Sequence, residues 1–264
     1  MSGLAIGLWL ALAAAGPEPL QLPGFRLHLV LSEELEPDRL EALARPGVVL
    51  WLMTRSNLLK ESVAERLGHA DASYVQVRPP LSQAGLQRQF TSRVHPWVEL
   101  PGLDVQSYRR WAPAGTAVEL LGGLTEERLA ELRALRASTV HWRPEELPTP
   151  EEWARTAHLT GLEVRPPAVL PPCPRALKGA ERIRLRVPAG VADSSAAGCG
   201  FALRLEIPAS MSEADVRELL VAFPGAELWT EVRSEADASA AARLVAWLAA
   251  AVPPSRTDAP PANR

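Results

Sequence analysis

The chain has 264 residues, a formal net charge of −3 and no strongly basic tract, which argues against a general nucleic-acid-binding surface. Its length is enough for one barrel-sized domain or for two small domains. The basic residues are almost all arginine, and the lysines are Lys60 and Lys178. A mechanism that needs a lysine nucleophile therefore has two candidates, and neither lies in a strand-like segment.

The first residues predict an export signal over 1–16. An apolar run from Leu4 to Ala15 ends in small residues before a Gly-Pro break, and it is shorter than the roughly 20 residues of a transmembrane helix. No basic residue precedes this run, so a retained anchor and an ordinary N-terminal helix remain alternatives. We expect a periplasmic or extracellular protein without a stable membrane span once the signal peptide is removed.

The two cysteines, Cys173 and Cys199, are predicted to form a disulfide. Their neighbours, Pro-Pro-Cys-Pro and Gly-Cys-Gly, are typical of surface loops, and an exported protein meets an oxidising compartment. Such a bridge would stabilise the fold by about 3 to 4 kcal/mol through chain entropy. Two buried free thiols are the alternative.

Short β-like runs alternate with amphipathic helical runs along most of the chain, at intervals of 19 to 26 residues. The helical runs begin with a capping oxygen and acidic residues, as at Thr125, Thr149 and Ser212. Strand, capped helix and strand at this interval indicate parallel βα units. The strand candidates begin near Phe25, Val48, Ser73, Pro96, Thr116, Thr139, Leu162, Arg182, Phe201 and Glu227.

We predict an α/β fold in which these repeated βα units close into a TIM-type (β/α) barrel over residues 22–251, with an open horseshoe as the alternative. Ten strand candidates exceed the eight of a standard barrel. The barrel is expected to be irregular around 180–207, because the connector from Pro188 to Gly200 is hardly long enough for a crossover helix. The two strands there could form a hairpin, or one could lie outside the barrel. Residues 252–264 are expected to be a disordered, Pro-rich tail.

Each strand candidate alternates apolar and polar residues with period two, although central parallel strands are usually apolar on both faces. If helices cover the apolar face, the polar face must line the barrel lumen or an exposed concave surface. The polar face holds Arg26, His28, Trp51, Met53, Arg55, Tyr74, Gln76, Arg78, Trp97, Glu99, Glu119, His141, Arg143, Glu163, Arg165, Arg184, Arg186, Arg204, Glu206, Trp229, Glu231 and Arg233.

Three interpretations of this polar face compete. It could be a structural lattice of Arg–Glu pairs, since unpaired buried charges cost several kcal/mol each. It could be a hydrated ligand site, in which tryptophans stack on sugar rings and charged groups bind hydroxyls or an anion. It could also be a catalytic site. The candidate ligand-binding residues are Trp51, Arg55, Arg78, Trp97, His141, Arg143, Glu206, Trp229 and Glu231.

Glycoside hydrolysis is the most concrete enzymatic option, because it needs two carboxylates on either side of the scissile bond. Glu99 and Glu119 lie on consecutive strand candidates with the same facing, and they are the candidate catalytic pair. Glu206 and Glu231 form a second pair. A structural ion pair is the alternative role for each of them.

Motifs for cofactors and metals are missing from the sequence. It contains no Gly-x-Gly-x-x-Gly, no phosphate loop, no His-Glu-x-x-His and no Cys-x-x-Cys. We therefore predict no cofactor, no metal site and no nucleic-acid partner, and the oligomeric state stays open. The resulting expectation is an exported barrel-like protein that binds a saccharide or small anion in a Trp-bearing lumen, with a glycoside-hydrolase-like enzyme as the alternative.

Overall fold

The computed structural model describes residues 25–32, 35–54, 58–78, 89–109, 115–159, 161–167, 182–190 and 200–251. The export signal at 1–16, the tail at 252–264, Arg55, Cys173 and Cys199 lie outside these residues. The predictions made for them therefore remain predictions.

Ten parallel strands form a closed barrel, in which each strand pairs with its neighbours in the sequence and β10 pairs with β1. The prediction of an α/β barrel of repeated βα units is confirmed, with ten strands instead of the eight of a standard TIM barrel. The strands are β1 (Leu27–Leu31), β2 (Val48–Leu52), β3 (Ala72–Gln76), β4 (Val94–Leu100), β5 (Ala117–Leu121), β6 (Thr139–Arg143), β7 (Leu162–Val164), β8 (Arg184–Pro188), β9 (Ala202–Glu206) and β10 (Glu227–Val232).

Seven helices lie within the described residues, and several begin at the caps expected from the sequence. Thr125 accepts a hydrogen bond from the backbone N–H of Arg128, and Ser212 accepts one from Asp215. Thr149 and Glu152 form a reciprocal capping box. The helices are α1 (Pro37–Leu43), α2 (Glu61–Leu67), α3 (Val105–Arg109), α4 (Glu126–Ala134), α5 (Pro150–Thr156), α6 (Glu213–Ala222) and α7 (Glu235–Ala251).

β8 and β9 are both regular members of the barrel, so neither alternative considered for this pair, a hairpin or a strand outside the barrel, applies. β8 and β9 are parallel, with Leu185 opposite Leu203 and Val187 opposite Leu205.

The apolar strand faces point outward and form the main core beneath the helices. Leu29, Leu50, Val98, Leu120 and Leu205 are all fully buried there. Their alternation with inward polar residues is the period-two pattern of a strand between two different environments. None of the helices in the described ranges is long and apolar enough to cross a membrane.

Candidate functional site

The inward-facing side chains form layers of five, supplied in turn by odd-numbered and even-numbered strands, as in other barrels of tilted strands. The stagger is visible in the register. Trp51 lies opposite Tyr74, and Tyr74 lies opposite His95, two residues before Trp97. Four layers follow one another from the middle of the barrel toward the carboxyl ends of the strands, which form its mouth. They are the lower layer (His28, Tyr74, Ala117, Glu163, Arg204), the tryptophan layer (Trp51, Trp97, His141, Arg186, Trp229), the upper layer (Val30, Gln76, Glu119, Arg165, Glu206) and the mouth layer (Met53, Glu99, Arg143, Pro188, Glu231).

The indole of Trp51 fills the centre of the barrel. Its ring centroid lies 4.1 Å from Tyr74, 4.3 Å from His141 and 5.6 Å from both Trp97 and Trp229. Trp51, Trp97 and Trp229 expose 1%, 6% and 5% of their surfaces. The three tryptophans predicted to bind a ligand therefore lie together, but their ring faces contact one another and their neighbours. Their stacking on a sugar stays a prediction.

The opposite side of the lumen is a lattice of arginines and glutamates, the Arg–Glu lattice, formed by Glu163, Arg165, Arg184, Arg186, Arg204, Glu206 and Glu227. Glu163, which is 2% exposed, contacts both Arg204 and Arg186, and its Oε1 is 3.2 Å from Arg186 Nη1. Glu206 lies between Arg186 and Arg165, at 3.2 and 3.1 Å. These contacts favour the structural interpretation for the buried charges, because each has at least one partner of opposite charge.

Glu227 contacts three basic side chains at the lower end of this lattice. Its Oε2 lies 2.6 Å from Arg204 Nη2, 3.3 Å from Arg184 Nε and 3.1 Å from His28 Nε2. Burial raises the pKa of Glu227, but the hydrogen bond from His28 and the charge of Arg204 outweigh that effect and lower it below its ordinary value. The carboxylate therefore stays ionised at neutral pH.

His28 is neutral, and its hydrogen bonds fix its tautomer. Trp51 Nε1 donates to His28 Nδ1 at 3.2 Å, so the proton of the ring lies on Nε2 and is donated to Glu227. Burial, followed by the positive charge of Arg204, lowers the pKa of His28 to about 3. This histidine therefore joins the aromatic cluster to the Arg–Glu lattice without adding a charge.

His141, a predicted ligand contact, lies in the same interior. Burial and then the charges of Arg186 and Arg204 lower its pKa well below the usual value. Its Nε2 is 3.8 Å from Glu163 Oε2, too far for a hydrogen bond. Burial also lowers the pKa of Arg186 to about 10, so that arginine remains charged at neutral pH.

The structure brings the predicted catalytic pair together at the carboxyl ends of two neighbouring strands. Glu99 on β4 lies directly opposite Glu119 on β5. Glu99 is exposed and accepts a 2.6 Å hydrogen bond from Gln76, whereas Glu119 is nearly buried and binds Arg143 at 2.9 Å. The exposed Arg78 donates to Gln76 at 2.7 Å. The catalytic role of both carboxylates stays a prediction.

The two carboxylates of the second predicted pair, Glu206 and Glu231, are not register partners. Glu206 is in the upper layer opposite Trp229, two residues before Glu231. Glu206 binds Arg165 and Arg186, while Glu231 binds the exposed Arg233, whose Nε lies 2.8 Å from Glu231 Oε2. Each carboxylate therefore has its own arginine partners.

Sequence reasoning missed Glu227, which holds the lower end of the lattice together. It stands at the first position of β10, where strand and loop are hard to separate by pattern. The sequence did contain a sign of its inward position: Glu227 lies two residues before Trp229, so the period-two alternation of Trp229 and Glu231 places it on the same strand face. Inward-facing Val30, Val49 and Ala117 carried no such signal, because they are apolar.

No protein-family model matches this chain, and a comparison with curated proteins finds no significant match. In the described residues, no three His, Cys, Asp or Glu side chains converge as metal ligands would.

The Arg–Glu lattice predicts a large effect of Glu163→Gln on stability. The substitution removes the negative charge shared by Arg186 and Arg204, and we expect the free energy of unfolding to fall by about 3 to 5 kcal/mol. Urea denaturation measures the loss. Glu126→Gln is the matched control, since its exposed pair with Arg155 contributes about 1 kcal/mol or less. Equal effects of the two variants would contradict the lattice.

The buried neutral histidines predict acid sensitivity. The folded-state pKa of His28 and His141 lies below the unfolded value, so the unfolded chain binds more protons and stability falls as the pH drops below about 6.5. Each histidine should remove about 1.4 kcal/mol of unfolding free energy by about pH 5.5. Urea denaturation at several pH values measures this slope.

Histidine variants test whether His28 and His141 cause this pH dependence of the unfolding free energy. His28→Gln should remove about half of it, whereas His158→Gln should leave it unchanged because His158 is exposed. An unfolding free energy that does not change between pH 7.5 and about 5.5 would show that the two histidines are not buried in their neutral form.

Proposed function

We propose that this chain is an exported, non-catalytic binding protein that holds a small anionic ligand, an acidic saccharide included, at the carboxyl-end mouth of its barrel. The observation that carries the proposal is the filled interior. Trp51 closes the centre, and the buried charges of the Arg–Glu lattice contact one another. Because the described lumen is filled by its own side chains, we place the ligand at the mouth of the barrel. The sequence alone favoured a ligand inside the lumen.

Partly exposed arginines support an anion as the ligand. With His28 and His141 neutral, arginine exceeds glutamate by two among the described inward-facing residues, although the whole chain carries −3. That excess lies in the amino half of the lumen, whereas four arginines and four glutamates balance at the mouth, so an anion binds there through individual guanidinium groups. The residues counted are Arg26, Arg78, Arg143, Arg165, Arg184, Arg186, Arg204 and Arg233 against Glu99, Glu119, Glu163, Glu206, Glu227 and Glu231.

Arg143 and Arg165 are the mouth arginines best placed for the ligand. Their side chains are 46% and 35% exposed, and each is anchored by a carboxylate, Glu119 or Glu206. An anchored guanidinium keeps further N–H donors for a carboxylate or phosphate. Leu121, which is 40% exposed and lies opposite Arg143, offers an apolar surface for the ring of a sugar.

Export rests on the sequence alone. The apolar run from Leu4 to Ala15, its small-residue end and its Gly-Pro break support removal of 1–16 and a periplasmic or extracellular location.

The binding proposal predicts selective stabilisation by anions. At a concentration of about 100 times Kd, glucuronate, citrate or phosphate should raise the free energy of unfolding by about 2.7 kcal/mol, and glucose should not. Arg143→Ala should weaken binding by about tenfold, or 1.4 kcal/mol, in isothermal titration. Arg155→Ala, an outer-surface change, is the control. No response to any of the three anions would contradict the proposal.

A glycoside-hydrolase-like activity is the second candidate, and one observation favours it. Glu99 and Glu119 are direct register partners on neighbouring strands. Such strands lie about 4.8 Å apart, close to the carboxyl separation of about 5 Å used by retaining glycosidases. Their place at the carboxyl ends of the strands is also where catalytic groups of (β/α) barrels lie.

Hydrolysis of chromogenic glycosides tests this second candidate. If the pair is catalytic, Glu99→Gln should abolish turnover while leaving the melting temperature nearly unchanged, because Glu99 is exposed. Glu146→Gln, in an exposed loop, is the control. Absence of turnover by the unaltered protein on every glycoside, or turnover that Glu99→Gln does not reduce, would exclude this role for the pair.

A further inference from the structure

A second set of polar side chains lines the amino end of the barrel, opposite the mouth. The two layers there are Arg26, Ala72, Gly115, Gly161 and Ala202, and above them Val49, His95, Thr139, Arg184 and Glu227. Four of the five residues in the outermost layer are alanine or glycine. In the layer above them Thr139 and Arg184 are partly exposed, whereas Val49 and Glu227 are buried.

The opening lies on the β6 to β9 side of this end. On the other side the ring of His95 covers β5, since a Cβ at Gly115 would lie 2.5 Å from His95 Nδ1. Thr139, Gly161 and Ala202 are partly exposed although they face inward. We call this space the amino-end recess; its lining residues are Arg26, Thr139, Gly161, Arg184 and Ala202.

Two arginines stand on either side of Ala202. Arg184 is its register partner on β8; its side chain is 37% exposed, and Glu227 anchors its Nε at 3.3 Å. Arg26 precedes β1, and its carbonyl accepts a hydrogen bond from the N–H of Leu228 on β10. Arg26 is exposed and forms no ion pair with any described residue.

The recess is positively charged despite Glu227. The Oε2 of that carboxylate already contacts Arg184, Arg204 and His28, so its charge is shared by two guanidinium groups. Burial is the main cause that lowers the pKa of Arg204, and the positive charge of Arg26 is close enough to add to it. Arg26, unlike Arg184, has no carboxylate partner among the described residues.

We propose that the amino-end recess is a second anion site, separate from the mouth, which binds a carboxylate or phosphate group over Ala202 between Arg26 and Arg184. The oxygens of the anion accept hydrogen bonds from the two guanidinium groups, which suit oxyanions because their donors form a fork. The hydroxyl of Thr139 supplies a further donor at the edge of the recess. The site does not depend on binding at the mouth.

Titration of the full-length protein with inorganic phosphate and, separately, with acetate tests the site. At constant ionic strength, Arg26→Ala should weaken binding at the recess by about tenfold, and Arg26→Lys should weaken it less because it keeps the charge. Arg26→Ala should leave the fold intact, since the side chain is exposed. Arg143→Ala changes the mouth and should leave recess binding unchanged, so the two sites fail or succeed independently.

A steric variant gives a second measurement. Ala202→Phe should block the recess without removing a charge, whereas Ala222→Phe, on the exposed surface of α6, should not change binding. Binding of both probes would indicate that the site accepts carboxylates and phosphates; binding of phosphate alone would indicate a phosphate site. Failure of the unaltered protein to bind either probe, or binding that neither Arg26→Ala nor Ala202→Phe weakens, would overturn the proposal.

Discussion

The width of a ten-stranded barrel is the constraint on which the rest of this structure depends. The diameter of a barrel grows roughly with its number of strands, and eight strands enclose a space that side chains can just fill. Ten strands make it roughly a quarter wider, so the lumen needs larger side chains to reach the packing density of a protein interior. Trp51 meets this need by crossing from β2 to His141 on β6. The small Ala117, on β5 between them, belongs to the same interior cluster.

Long charged side chains fill the other half of the lumen. Because they are buried, each arginine must pair with a glutamate. An arginine side chain fills as much space as an aromatic ring, but when it is buried its charge must be paired with a carboxylate. Arg186 combines both properties, because its guanidinium lies 4.2 Å from the ring centroid of Trp229 while it contacts Glu163 and Glu206. The same packing leaves Arg143 partly exposed at the mouth, so the groups available to a ligand are those at the ends of the barrel.

The sequence predicted the fold and the inward face because both depend on local periodicity. Alternation alone identified Glu119, His141 and Arg204 as lumen residues. The partners of these groups depend on strand register, which is set by contacts between segments far apart in the sequence. The pair of His28 with Glu227, 199 residues away, therefore had no signal that a single sequence could reveal. The same reason explains why the parallel pairing of β8 and β9 was not foreseen.

The Arg–Glu lattice runs without interruption from one end of the lumen to the other. Arg184 contacts Glu227, Arg204 joins Glu227 to Glu163, and Arg186 joins Glu163 to Glu206 beneath the mouth. A substitution inside this chain changes the partners of its neighbours, so effects within it are not additive. Its influence on stability and its influence on ligand binding can therefore be separated only at residues outside it. Arg26 and Arg143 meet that condition, one at each end of the barrel.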